Sequence, residues 1–196
     1  MCDFYSMLQT VETLRKHLLI IGNGFDLDLG LPTSYNDFLN SSHFKALEKD
    51  PNSLAKHLLF KRDKQKWIDV EKELSLFSKL PSTRSSDKFH SQYKEFRLAL
   101  SSCINDLDYS SINRDSNAAK LITNLYSNKK LTIINFNYSK SVEKILQKPH
   151  SYINQIFVHG KAEDNSIVFG VEDTAIIQPE HIFYIKRYLQ AFKAIN

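Results

Sequence analysis

At 196 residues and a net charge of +4, the chain is long enough for one domain with a sizeable core and needs no covalent staples. Two cysteines, Cys2 and Cys103, exclude a disulfide framework, and no stretch approaches the ~20 apolar residues of a bilayer span. The first sixteen residues carry Asp3 and Glu12 and no unbroken apolar core, so no signal peptide or membrane is expected and the cytoplasm is the expected compartment.

The first element in chain order is the apolar run Leu18-Leu19-Ile20-Ile21, which reads as a buried strand ending on Gly22-Asn23-Gly24. Glycines there are able to take positive φ and bring bare backbone N–H groups to a phosphate or ribose. A ligand loop and a plain tight turn both fit. The standard dinucleotide fingerprint does not, because its third small residue is replaced by Leu27, and no Gly-Lys-Ser/Thr marks a P-loop. Asp26 is placed to bind a ribose hydroxyl or to cap a helix, while capping is the expectation for Asp28.

Between Gly30-Leu31-Pro32 and Leu131 the pattern is helical. Ser34 and Asp37 resemble a helix start, and Ser53 after Pro51-Asn52 is placed to cap Leu54–Phe60. Residues 67–80 carry apolar positions at helical spacing until Pro81, which opens a loop through Ser86. Phe89, Tyr93, Phe96, Leu100, Cys103/Ile104 and Leu107 form one face of a long amphipathic helix, a packing stripe. The basic run Lys61, Arg62, Lys64, Lys66 is interrupted by Asp63 and reads as a solvated helix face, so nucleic acid is not an expected partner. Asp69 and Glu71 lie two apart and share no helix face, which favours an acid-rich helix N-terminus over a ligand pair.

Residues 131–138 are a second strand-like run ending in Asn135, Asn137 and Tyr138. Ile156 to Gly160 reads as a third strand ending on His159, and Ser166 to Gly170 as a fourth. Parallel strands need a crossover, and here the first takes on the order of a hundred residues. The expected fold is therefore α/β, a Rossmann-like parallel sheet with a large helical insert between the first and second strands. A single domain over residues 1–196 is expected, with sheet core 15–40 and 130–175 and insert about 41–129. Ligands of such sheets bind outside the strands' carboxyl ends. That edge gathers Gly22/Asn23/Gly24, Asn137 and His159.

The motifs GNGFDLDLGLPTSYNDF, NFNYS, FVHG and IVFG resemble the bacteriophage abortive-infection AbiH family, and Trp67, Asp69 and Glu71 match its Trp-x-Asp-x-Glu segment. The layout is more distantly similar to sirtuin-like NAD-binding proteins, through the glycine turn, Gly30-Leu31-Pro32, Asn137-Tyr138 and His159-Gly160. Two departures stand out: Ser139 replaces an Asp, and a late Gly-His-Ser-Leu type turn has no counterpart before Asn196, which makes a short or truncated member the expectation.

The resemblance implies a nucleotide or dinucleotide ligand, with NAD as a substrate cleaved at its nicotinamide–ribose bond and no metal. His159 and Asn137 are then the catalytic residues. Gly22, Asn23, Gly24, Phe25, Asp26, Pro32, Tyr138 and Gly160 are the binding residues. A non-catalytic member that senses a nucleotide and acts through a partner is the alternative. A third reading is metal-dependent phosphohydrolysis by Asp26, Asp28, Asp69 and Glu71. An unfinished sheet edge invites coverage by a second copy, a partner protein, or a final helix over Tyr184–Phe192.

Overall fold

The computed structural model describes residues 17–48, 53–64, 69–80, 86–127, 131–171 and 185–186. Trp67, Pro51-Asn52, the loop 81–85 and all of Tyr184–Phe192 except residues 185 and 186 lie outside them. Three parallel strands, β1 (His17–Ile21), β2 (Leu131–Asn135) and β3 (Gln155–Phe157), form a sheet in the order β1-β2-β3. Ile21 pairs with Asn135 and Asn135 with Phe157, so the three carboxyl ends are level.

Among the described residues, seven α-helices separate β1 from β2: α1 (Asn23–Asp28), α2 (Tyr35–Asn40), α3 (Ser42–Lys45), α4 (Leu54–Lys64), α5 (Val70–Ser78), α6 (Ser86–Asn105) and α7 (Asn117–Ser127). A short α8 (Ser141–Leu146) links β2 to β3. The α/β fold with a helical insert between the first two strands is thus present.

Local chemistry explains several of the helix boundaries. Ser34 and Asp37 form a reciprocal capping box at the start of α2, satisfying two N–H groups that would otherwise be orphaned. Ser53 caps α4 through the Lys56 N–H, and Asp69 caps α5 through the Lys72 N–H. Gly30, at φ +80, ends the α1 turn in a conformation that a side chain would strain. Asp28 also acts as a cap, but for a distant helix: its Oδ2 accepts the Ala118 N–H at 2.8 Å, in the first turn of α7.

Two apolar cores flank the strand ends. One packs the inner face of the sheet, Ile21, Leu131 and Ile133, with Leu29, Leu31, Ile122 of α7 and Val142 of α8. The other lies within the helical insert, where Phe38, Phe44, Phe96 and Phe169 meet at centroid separations of 5.0–6.2 Å. Such ring pairs add about 0.5–1.5 kcal/mol each beyond their burial. On the other face of the sheet, Leu18, Ile20 and Ile156 are 62%, 63% and 57% exposed. Parallel sheets ordinarily cover both faces.

The fourth strand expected over Ser166–Gly170 does not form. Its apolar residues are buried in the helical core instead of the sheet, and other partners satisfy its backbone. Tyr93 donates to the Phe169 carbonyl, Tyr138 to that of Val168, and the Val168 N–H bonds the His159 carbonyl. The third strand is also shorter than expected, ending two residues before His159.

The capping role of Asp28 predicts that Asp28→Ala lowers stability by about 1 kcal/mol. A urea midpoint shift of that size without loss of cleft function is the expected result.

Candidate functional site

The carboxyl ends of β1 and β2 are tied by polar bonds that the loops make to each other. Asp26, one turn into α1, is 1% exposed and accepts the hydroxyls of Ser139 and Ser141, each at 2.6 Å. The two hydroxyls lie 3.1 Å apart. Burial raises the Asp26 pKa above its ordinary value, against the lowering effect of those hydroxyls and of Asn137. Asn137 donates its Nδ2 to the Gly22 carbonyl at 3.0 Å, and its own N–H bonds Asn135 Oδ1 at 2.8 Å. Thr33 donates to Asn23 Oδ1 at 2.6 Å, tying the segment after Pro32 to the glycine turn.

His159 follows β3. Its carbonyl accepts the Val168 N–H at 2.7 Å, and its ring stands edge-on to Phe136 with centroids 5.4 Å apart. Gly160 then turns the chain at φ +74, a true left-handed position.

These groups open on one cleft with a cavity volume of about 160 Å³, below the ~300–1,000 Å³ of most small-molecule sites. Asn23, Asp26, Pro32, Asn137, Tyr138 and His159 line it, so six of the sequence-predicted residues come together. Gly22, Gly24, Phe25 and Gly160 are not in its lining. Gly22 is extended, Gly24 helical, and neither takes the positive φ expected of the turn. What their bareness does leave is room, because a Cβ on either would meet nothing within 4 Å.

The opposite wall comes from the helices: Tyr35 and Phe38 of α2, Glu71 of α5, and Leu100, Cys103 and Ile104 of α6. Of these, sequence reasoning offered only Glu71, as one of the four carboxylates of the metal-dependent reading. The one available signal was Glu71, in the Trp-x-Asp-x-Glu match. Tyr35 is driven well above its ordinary pKa, first by burial, then by Tyr138 and Glu71, so both phenols stay neutral hydrogen-bonding groups. Glu71 pairs with Lys186 at 2.7 Å.

The four carboxylates of the metal reading are engaged separately. Asp26 holds two serines, Asp28 and Asp69 cap helices, and Glu71 holds a lysine. Among the described residues no group of three His, Cys, Asp or Glu side chains is placed to hold a metal ion. Among them too, no helix is long and apolar enough to cross a membrane.

A family model described as bacteriophage abortive infection AbiH matches residues 18–195. No curated protein and no solved structure matches the chain, and the similarity to sirtuin-like proteins rests on the short motifs alone.

Because folding raises the Asp26 pKa, the folded chain holds a proton there above the pH at which the unfolded chain, near 3.8, releases it. The stability tied to that proton is complete below the unfolded value and is lost as pH rises through the folded one. Relative to the non-titrating Asp26→Asn, wild type is therefore expected to lose ground in urea midpoint as pH rises above 3.8 through the raised folded value. A difference that moves the other way would contradict the burial argument. Asp26→Ala is expected to cost about 1–3 kcal/mol, since it strands two buried hydroxyls.

Proposed function

The chain belongs to the bacteriophage abortive-infection AbiH family, whose role is abortive infection, and from that premise we propose that its cleft binds a nucleotide and hydrolyses NAD. Consuming the cofactor would arrest an infected cell. The observation that carries this reading is the meeting of Asn137 and His159, from two different strand ends, in one cleft that Asn23 of the glycine turn also lines. The motif similarity to sirtuin-like proteins supports the choice of NAD.

On this reading the diphosphate lies in the space beside Gly22–Gly24, and Pro32, Tyr35 and Tyr138 contact the flat parts of the ligand. Cleavage breaks the bond between ribose C1′ and the nicotinamide nitrogen, and the bonding pair leaves with nicotinamide. Positive charge builds on the ribose, water adds to C1′, and His159 takes the proton that water loses. Imidazole suits that step because it titrates near working pH. The Asn137 amide hydrogens are directed to the Gly22 carbonyl and to Asp26. Its amide oxygen is then the group that accepts from the ribose hydroxyl or the attacking water.

A second reading keeps the nucleotide and removes the chemistry: the chain senses its ligand and signals through a partner. The exposed apolar sheet face carrying Leu18, Ile20 and Ile156 favours it.

The test is NAD turnover by purified protein, alone and from phage-challenged cells. Wild type is expected to release nicotinamide, with His159→Ala and Asn137→Ala each reduced ~10²–10⁴-fold. Absent turnover in both settings, with both variants still protecting cells, would contradict hydrolysis and leave the sensing role.

A further inference from the structure

The cavity of about 160 Å³ has the size that holds one ring, since ~150 Å³ takes up a single benzene. Four aromatic side chains, Tyr35, Phe38, Phe136 and Tyr138, line it, and so do the carboxyl groups of Asp26 and Glu71. No lysine or arginine is among its described lining residues, and Lys186 pairs with Glu71 without joining them. Gly22 and Gly24, the backbone expected to meet a diphosphate, are not in the lining either. A diphosphate inside the cavity would lose its water and meet carboxyl groups with no cation. A flat cation is what this lining favours, because aromatic faces attract positive charge most strongly where water is excluded.

NAD carries one group of that kind, its nicotinamide ring, which is a pyridinium cation until the bond to ribose is cleaved. Its adenine is bicyclic and neutral. We propose that the cavity is a pyridinium pocket that selects the substrate by this ring, so that nicotinamide mononucleotide and nicotinamide riboside are substrates alongside NAD. The inference deepens the hydrolysis reading and rests on it for turnover, though not for binding of the ring. With the ring enclosed, the ribose C1′ faces Asn137 and His159, and the phosphates and adenosine lie outside the cavity, towards Gly22–Gly24. In all three substrates the bond from C1′ to the ring nitrogen breaks, and its electron pair neutralises the ring. Water gives its hydroxyl to C1′ and its proton to His159, so nicotinamide and the corresponding ribose leave.

The test has a binding arm and a turnover arm, both on the full chain. In the first, 1-methylnicotinamide, a pyridinium cation with no ribose to cleave, is titrated beside neutral nicotinamide and in the presence of ADP. The cation is expected to bind about fivefold or more tightly than nicotinamide, and saturating ADP is expected to leave its Kd unchanged. Cys103→Phe, which adds a ring from the α6 side of the lining, is expected to weaken the cation about tenfold or more. In the turnover arm, kcat/KM for the mononucleotide and the riboside is expected within about tenfold of that for NAD. Hydrolysis of NAD with both shorter substrates more than ~100-fold poorer would overturn the pocket's role in selection while hydrolysis stands. Cation binding without turnover of any of the three would contradict hydrolysis and support the pocket. No binding of the cation, its displacement by ADP, or unchanged binding in a folded Cys103→Phe would overturn the pocket itself.

Discussion

Parallel strands place their carboxyl ends side by side, but the loops leaving them diverge unless something ties them together. In this chain the tie is the buried carboxylate of Asp26, bonded to Ser139 and Ser141 across more than a hundred residues of sequence. Asn137 adds a second link by donating to the Gly22 carbonyl. A charge held at 1% exposure is costly, and its two short hydroxyl bonds offset that cost. The result is a rigid polar edge in which Asn137 is aimed by bonds on both its backbone and its side chain. His159 is set beside it by a separate device, the left-handed turn at Gly160 and the bond from Val168.

The helical insert has a different job. Its aromatic core around Phe38, Phe96 and Phe169 is a packing unit in its own right, and the cleft runs along its boundary with the sheet. One wall is therefore polar and fixed by hydrogen bonds, and the other, apart from Glu71, is mainly apolar and fixed by packing. The contrast suits a ligand with a charged or hydroxylated side and a flat ring. Tyr138 belongs to both systems, since its backbone follows Asn137 and its hydroxyl reaches the Val168 carbonyl.

Much of this was legible where the cause is local. The apolar runs at Leu18–Ile21 and Leu131–Ile134 became strands, and Ser34 with Asp37 became a capping box. The stripe from Phe89 to Leu107 became one face of the long helix α6 and its continuation. Reading failed where a tertiary partner decided the outcome. The run Ile167-Val168-Phe169 has the composition of a buried strand, but two tyrosine hydroxyls and a histidine carbonyl take its hydrogen bonds, so burial occurs without a ladder. Asp28 caps a helix ninety residues away, which no local pattern encodes. Glu71 illustrates the same limit: its two-residue spacing from Asp69 correctly denies a shared face, yet says nothing of the cleft that it meets.

The most direct measurement of the central claim, a nucleotide site at the carboxyl ends of these strands, is amide hydrogen exchange of the full chain with and without NAD. Slowed exchange is expected at residues 22–35, 136–139 and 158–160, with the exposed sheet face around Leu18, Ile20 and Ile156 unchanged. Protection confined to that face, or no protection anywhere at millimolar NAD, would contradict it.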